Sequence, residues 1–226
     1  MRSRRLPGKV LRPLAGRPVL QYLLERVGRC TGLEAVAVAT SSDSSDEPIA
    51  RFCDAFGVRC IRGPLEDVAL RFKLAAETLK LDAFVRLCAD SPLLDPQLIT
   101  RAVDAFRSGK VDLVTNVFPR TFPPGQSVEV VRMRVFVAAL PSMKDPGHRE
   151  HVTRYFYEHP DRYRLLNLSG EHDATGADFA VDTEADLERI EALVAALDRP
   201  HWEYGLEALI AAHRALPLAG AAALRR

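Results

Sequence analysis

Between residues 18 and 117 the chain alternates short apolar runs with amphipathic stretches of helical period, and this rhythm constrains the fold more than any other feature. Pro18 opens a helix whose Leu20, Leu23, Leu24 and Val27 recur at i, i+3, i+4 and i+7. The Ala/Val-rich run from Glu34 to Thr40 reads as a strand buried on both faces, and it ends in the cap-rich loop 41–46. A helix through Ile49, Phe52 and Phe56 closes at Gly57, and a strand follows from Val58 to Ile61. The next elements are a helix from about Glu66 to Leu79, a strand from Ala83 to Asp90, a helix that Asp95-Pro96 caps and that runs to Ser108, and a strand from Asp112 to Val117. Such alternation predicts a parallel sheet covered by helices on both faces.

The rhythm breaks at the proline-rich loop 118–125, a kind of segment that carries function more often than core. A short strand is expected at Val128–Val131, a helix over 148–159, a strand at Tyr163–Leu168 and a last apolar strand at Phe179–Asp182. Thr183 and Asp186 have the spacing of a capping box, opening a helix with Leu187, Ile190, Val194 and Leu197 inward. A final amphipathic helix is expected from about Trp202 to Leu216, with a frayed tail after about 217. With neither repeat nor linker, residues 1–226 read as one domain.

Net charge is +1, yet residues 1–30 hold eight Lys/Arg against one Glu. These cations are interleaved with Leu, Val, Pro and Gly, which favours a folded anion site over a solvated basic tail on nucleic acid. The stretch Ser3-Arg4-Arg5-Leu6-Pro7-Gly8-Lys9 concentrates the signal. Pro7 and Gly8 enforce a tight non-helical loop, and Arg5 and Lys9 supply a fork and a point charge that suit a polyphosphate. It is not a Walker loop. The four cysteines, Cys30, Cys53, Cys60 and Cys88, show no C-x-x-C spacing, so free thiols in a cytoplasmic protein are expected rather than zinc or disulfides. No apolar run is long enough to span a membrane, and His148 and His151, one helical turn apart, lack an HExxH setting for zinc.

In open α/β sheets ligands collect beyond the carboxyl ends of strands. Asp90 and Asp182 each close an apolar run at such a place. Either could simply cap the following helix, but two hard carboxylates beside a phosphate loop are what Mg²⁺ on a nucleotide requires.

The opening motif resembles the S-x-R-L-P-G-K nucleotide-binding signature of the CMP-sugar synthetases. Thr40 with the loop to Asp43, Arg62-Gly63-x-x-Glu66-Asp67-Val68, Arg71, Arg86-x-x-x-Asp90-x-Pro92, Arg120-Thr-Phe-Pro, Arg149-Glu150-His151-Val152-Thr153 and Val181-Asp182-Thr183 resemble, in order, the spore-coat polysaccharide branch of that family. The resemblance implies a nucleotide-diphosphosugar-transferase-like (Rossmann-like) α/β fold, a three-layer α/β/α sandwich with a mostly parallel sheet. It implies transfer of a cytidylyl group from CTP to an acidic sugar for cell-surface or spore-coat polysaccharide biosynthesis, with Mg²⁺ on Asp90 and Asp182. Arg5, Lys9 and Asp90 would be catalytic; Ser3, Gly8, Thr40, Asp43, Arg71 and Arg86 would bind nucleotide; Arg120, Glu129 and His151 would face the sugar. A homodimer is implied by the same analogy, with Tyr155, Phe156 and Tyr157 expected in a core or dimer interface.

Three departures stand out. The family places a strand and a Q-A-R immediately before the position of Met1, which implies a start assigned too late or a truncated gene. Ser127 stands where an acid is usual, and Glu184 replaces a usual proline. Competing expectations are a glycosyltransferase on the same architecture, for which no D-x-D appears at a strand end, and a nucleotide-binding domain without turnover. A nucleic-acid binder would need aromatics interleaved with the basic residues.

Overall fold

The computed structural model of the chain describes residues 1, 3, 5–170 and 176–216. Arg4 of the basic loop and the tail after 217 lie outside the described residues. A 3-10 turn at Lys9–Leu11 precedes a small hairpin of β1 (Pro13–Leu14) and β2 (Arg17–Pro18). Then come α1 (Val19–Val27), β3 (Ala37–Ser41), α2 (Glu47–Phe56), β4 (Arg59–Gly63), α3 (Val68–Thr78), β5 (Ala83–Arg86), α4 (Pro96–Ser108) and β6 (Leu113–Thr115). The remaining elements are β7 (Glu129–Arg132), α5 (Met133–Ala139), α6 (Pro146–His151), α7 (Arg154–Tyr157), β8 (Leu165–Asn167), α8 (Glu184–Ala195) and α9 (Leu206–Ala215).

β3 and β4 pair in parallel, and a four-stranded sheet runs in the order β5-β7-β6-β8. β7 is antiparallel to both neighbours, whereas β6 and β8 are parallel. The reversal has a plain cause. The loop from Thr115 to Glu129 contains no helical crossover, so the chain re-enters the sheet from the end it left.

Alternate strand residues feed the two cores. Val114 and Val130 pack with Leu23, Ile99, Ile190 and Leu209 of α1, α4, α8 and α9. Leu113 and Val131 pack with Ala76, Phe136 and Phe156 of α3, α5 and α7 on the other side. Two helical layers therefore sandwich the sheet, as the period-2 alternation of a two-faced strand requires. Between β3 and β5 the sheet is interrupted by an apolar slot of about 590 Å³.

Several expected elements differ. No strand forms at 179–182; that segment is extended and hydrogen-bonds through Val181 N–H to the Asp90 carbonyl at 2.9 Å. The strand expected to reach Asp90 stops at Arg86. The helix expected over 148–159 breaks at Val152, whose φ of 57° is left-handed, and α6 and α7 lie on either side of it. α5 has no counterpart in the sequence reading, because its seven residues are too few to show a helical period. Tyr155 and Phe156 are in the core.

The C-terminal segment is fastened by one cation. Arg26, fully buried on α1, donates to the carbonyls of Leu94 and Tyr204, both at 2.7 Å, and of His201. Burial lowers its pKa to about 10, so it stays charged at neutral pH. Beside it, His201 Nε2 meets Glu25 at 2.8 Å. Burial holds His201 below its ordinary value despite Glu25, while hydrogen bonds from Gln21 and His201 outweigh burial and hold Glu25 low.

Arg26→Ala should cost on the order of 3 kcal/mol, because buried carbonyls lose their donor, with urea unfolding as the readout. The pH dependence has a defined sign. Both lowered groups favour the deprotonated form when folded, so the unfolded chain binds more protons in acid. The unfolding midpoint should fall as pH drops below about 6.5, and His201→Gln should flatten the first part of that decline.

Candidate active site

The basic loop is held by its own apolar residue. Leu6 is buried in the main core, its N–H donates to Ser3 Oγ at 3.3 Å, and Gly8 takes a φ of 69° to enter the Lys9–Leu11 turn. That turn sends Lys9 inward. Its Nζ lies 2.5 Å from Asp90 Oδ2 and 2.8 Å from Asp182 Oδ1, and Arg5 reaches the other oxygen of Asp182 at 2.9 Å. Half-burial alone would lower the Lys9 pKa, but the charges and hydrogen bonds of Asp90 and Asp182 outweigh it and raise the value. The Val181–Asp90 backbone bond sets the two carboxylates side by side. Asp182 directly precedes the Thr183–Asp186 capping box that starts α8, and its own N–H donates to Asp186 at 3.1 Å.

Two carboxylates that converge on one ammonium also fit a hard divalent cation, which would complete its shell from phosphate oxygens and water. No group of three or more His, Cys, Asp and Glu side chains with metal-binding geometry occurs among the described residues, so a cage made wholly by protein ligands is not formed there.

Next to Lys9 lies a pocket of about 180 Å³ whose lining includes Ser3, Gly8, Thr40, Asp46 and Arg71. Asp46 organises it. Its carboxylate accepts from Thr40 Oγ1 at 2.9 Å, Ser41 Oγ at 2.6 Å, Ser41 N–H at 3.0 Å and the Met1 amine at 2.5 Å. Burial would raise its pKa, but these donors outweigh burial and hold it far below the carboxylate range. Arg71 donates to the carbonyls of Pro64 and Leu65, and its Nε is buried without a hydrogen-bond partner. Asp43 sits just outside, capping the Ser44–Asp46 turn and accepting from Arg62 through its carbonyl.

Arg86 and Glu129, expected to bind nucleotide and to face the sugar, pair with each other across β5 and β7. Glu129 is buried and also accepts from Thr153 Oγ1 at 2.5 Å and from the Tyr157 hydroxyl, which meets Thr115 at 2.8 Å. Left-handed Val152 is what turns Thr153 and α7 toward this carboxylate. The His151 side chain is exposed at the end of α6, apart from this network.

The loop after β6 is locked at both ends. Asn116 accepts from Val128 N–H at 2.9 Å and donates to the Gln126 carbonyl at 2.6 Å, and the fully buried Gln126 bonds Asp95 N–H and the Leu93 carbonyl, both at 2.9 Å. Gly125, with a φ of 83°, lies so close to the Phe179–Ala180 backbone that a Cβ would fall 2.4 Å from Phe179 C. Between these anchors Phe118 stays exposed, stacked on Tyr157 at 4.9 Å, and Arg120 donates to Ser127 Oγ at 3.1 Å. Asp46, Asn116 and Gln126 escape the sequence reading as site residues, their only signal there being a polar residue in a cap-like or loop setting, which is common; Tyr157, expected in a core or dimer interface, instead turns its hydroxyl to Glu129.

The architecture is that of nucleotidyltransferases with a Rossmann-like sheet, and a loop of cations facing the carboxylates of Asp90 and Asp182 suits that class. The chain belongs to the cytidylyltransferase family, whose model matches residues 1–212. It is 31% identical over 201 residues to the spore coat polysaccharide biosynthesis protein SpsF of Bacillus subtilis, covering 85% of this chain and 82% of that protein. It is 30% identical to a 3-deoxy-manno-octulosonate cytidylyltransferase of Anaeromyxobacter dehalogenans, covering 85% of this chain and 93% of the relative. The solved structure of a cytidylyltransferase from Leptospira borgpetersenii superposes with a TM-score of 0.87 at 28% identity, over 94% of this chain and 89% of that one.

Glu129→Ala should destabilise the fold by on the order of 3 kcal/mol, since it leaves the half-buried Arg86 without its ion-pair partner. An unchanged urea midpoint would show that Glu129 serves only a ligand.

Proposed function

We propose that this chain activates an acidic sugar by transferring CMP from CTP, releasing pyrophosphate, in the synthesis of a cell-surface polysaccharide. The carrying observation is Lys9 held between Asp90 and Asp182 beside the pocket of Ser3, Gly8, Thr40 and Arg71. Membership of the cytidylyltransferase family supports the nucleotide, and the name of the Anaeromyxobacter relative supports an acidic keto-sugar.

In this reading the sugar hydroxyl oxygen forms a bond to the α-phosphorus of CTP while the bond to the β-phosphate bridging oxygen breaks. The hydroxyl proton passes to water. Such transfers depend on alignment and charge neutralisation more than on covalent chemistry. Lys9 and Arg5 leave their carboxylate partners for the triphosphate and offset the charge that grows on departing pyrophosphate. Asp90 and Asp182, freed of Lys9, would hold Mg²⁺, which supplies Lewis-acid charge at the phosphate oxygens. Ser3, Gly8, Thr40 and Arg71 would line the nucleotide, with Asp46 positioning Thr40. Arg86 and Glu129 act together as a brace behind the site. Arg120, which has no carboxylate partner among the described residues, would meet the sugar acid from the loop after β6. A homodimer belongs to the same reading by family analogy.

Calorimetry with Mg²⁺ should give CTP binding well above ATP and GTP, lost in Asp90→Ala. Lys9→Ala should lower turnover about a hundredfold while CTP still binds. Equal binding of all three nucleotides, or full turnover by Lys9→Ala, would overturn the reading.

A further inference from the structure

Among the described residues Phe56, Phe118 and Leu166 are large apolar side chains left exposed. Single exposed apolar residues are ordinary on a surface, but Phe118 is held in an unusual way. Its ring is 42% exposed and stacks on Tyr157 at 4.9 Å, with 15° between the planes. Tyr157 is a fixed support: its hydroxyl donates to the buried Glu129 and meets Thr115 Oγ1 at 2.8 Å. Burial, reinforced by the charge of Glu129, pushes that hydroxyl far above its ordinary value. Tyr157 therefore keeps its proton, and the support is the same at every working pH.

The backbone under the ring is fixed as well. Val117 and Arg120 bridge across the turn, Phe118 N–H donates to Asn167 Oδ1 at 3.2 Å, and Asn167 Nδ2 donates to the Pro119 carbonyl at 3.0 Å. One turn thus offers an aromatic face at 118 and a guanidinium at 120. Ser127 Oγ accepts from that guanidinium without neutralising it. The face of an aromatic ring is negative and attracts weakly positive C–H bonds. A ring that shows C–H bonds to Phe118 and a carboxylate to Arg120 is that of a sugar acid.

The turn also lies on the right side of the sheet. β5 and β6 are both antiparallel to β7, so their carboxyl ends point the same way. Asp90 follows the end of β5, and Phe118 follows the end of β6. One strand separates the two, which puts β5 and β6 about 10 Å apart, the reach of a single extended sugar acid. Glu129 on that middle strand pairs with Arg86 on β5, so one carboxylate braces both the support of Phe118 and the strand that leads to Asp90.

We propose that Phe118 is the platform on which the acceptor sugar ring lies, and that it selects sugar acids whose ring has a face of C–H bonds free of hydroxyls. A hydroxyl turned onto that face would lose its water without gaining a partner. The inference rests on the cytidylyl-transfer reading for the reaction and adds the residue that chooses the acceptor.

The test uses the full chain with para-fluorophenylalanine at position 118, read by fluorine NMR with CTP and Mg²⁺ present. The probes are 3-deoxy-manno-octulosonate, the sugar acid in the name of the Anaeromyxobacter relative, and glucose as the uncharged control. The signal should move with the acid and not with glucose. In pyrophosphate-release assays Phe118→Ala should raise the sugar KM about tenfold with CTP affinity unchanged, and Phe118→Tyr should restore it. The urea midpoint of Phe118→Ala should equal that of the parent, since the ring is exposed. A signal that neither probe moves, an equal response to glucose, or a loss in kcat with the sugar KM unchanged would overturn the proposal. CTP binding measured in the same samples separates the two failures. A chain that binds CTP without a response at 118 loses the platform alone, whereas one that binds no CTP loses the transfer reading and the platform with it.

Discussion

Everything at the mouth of the sheet depends on one ammonium held between two carboxylates. Asp90 and Asp182 are distant in sequence and come from opposite halves of the chain, and Lys9 and one backbone bond draw them to the same point. Two carboxylates this close repel each other, and a cation between them removes the repulsion. Arg5 adds a second positive charge on the outer face, so the described cluster has two charges of each sign. The fold thus stores a neutral arrangement in which Lys9, Arg5, Asp90 and Asp182 are already paired with one another. A ligand that used these four groups would enter by exchange of partners rather than by filling an empty positive hole.

How much of this was legible depended on the kind of signal each residue gives. The layered α/β plan was readable because Leu20, Leu23, Leu24 and Val27 share a helical stripe and the runs around Val38 and Phe84 are mostly apolar. Both patterns are imposed by burial and appear directly in residue order. Gly57 and the Thr183–Asp186 box were equally visible, since caps act within a few residues. The pairing of Lys9 with Asp90 and Asp182 was expected only as neighbourhood; their direct ion pairs are a property of three segments meeting. The pocket gathers Ser3, Gly8, Thr40 and Arg71, and the carboxylate that organises it, Asp46, looked like one more acidic residue in a serine-rich loop.

Arg86 and Glu129 show why motif residues resist assignment from sequence. Each is polar and lies on a short strand near the site, and read separately each suggests a ligand contact. Antiparallel register places them opposite one another, and Thr153 and Tyr157 complete the shell around the glutamate. The register follows from the absence of a crossover between β6 and β7, and Thr153 arrives only because Val152 takes a left-handed turn inside what reads as a continuous helix. Both are local backbone choices that side-chain pattern does not encode.

The contact at Gly125 ties the two halves of the mouth together. Here backbone lies directly on backbone, with no side chain between the loop after β6 and the Phe179–Ala180 segment. Layers of side chains can yield by changing rotamer, whereas two touching main chains cannot. The end of the loop bearing Arg120 and the segment leading into Asp182 are therefore seated against each other through main chain, the Phe179 N–H donating to the Pro124 carbonyl at 2.9 Å. A substitution that pushed Gly125 off this contact would reach, through backbone alone, a carboxylate two residues beyond Ala180.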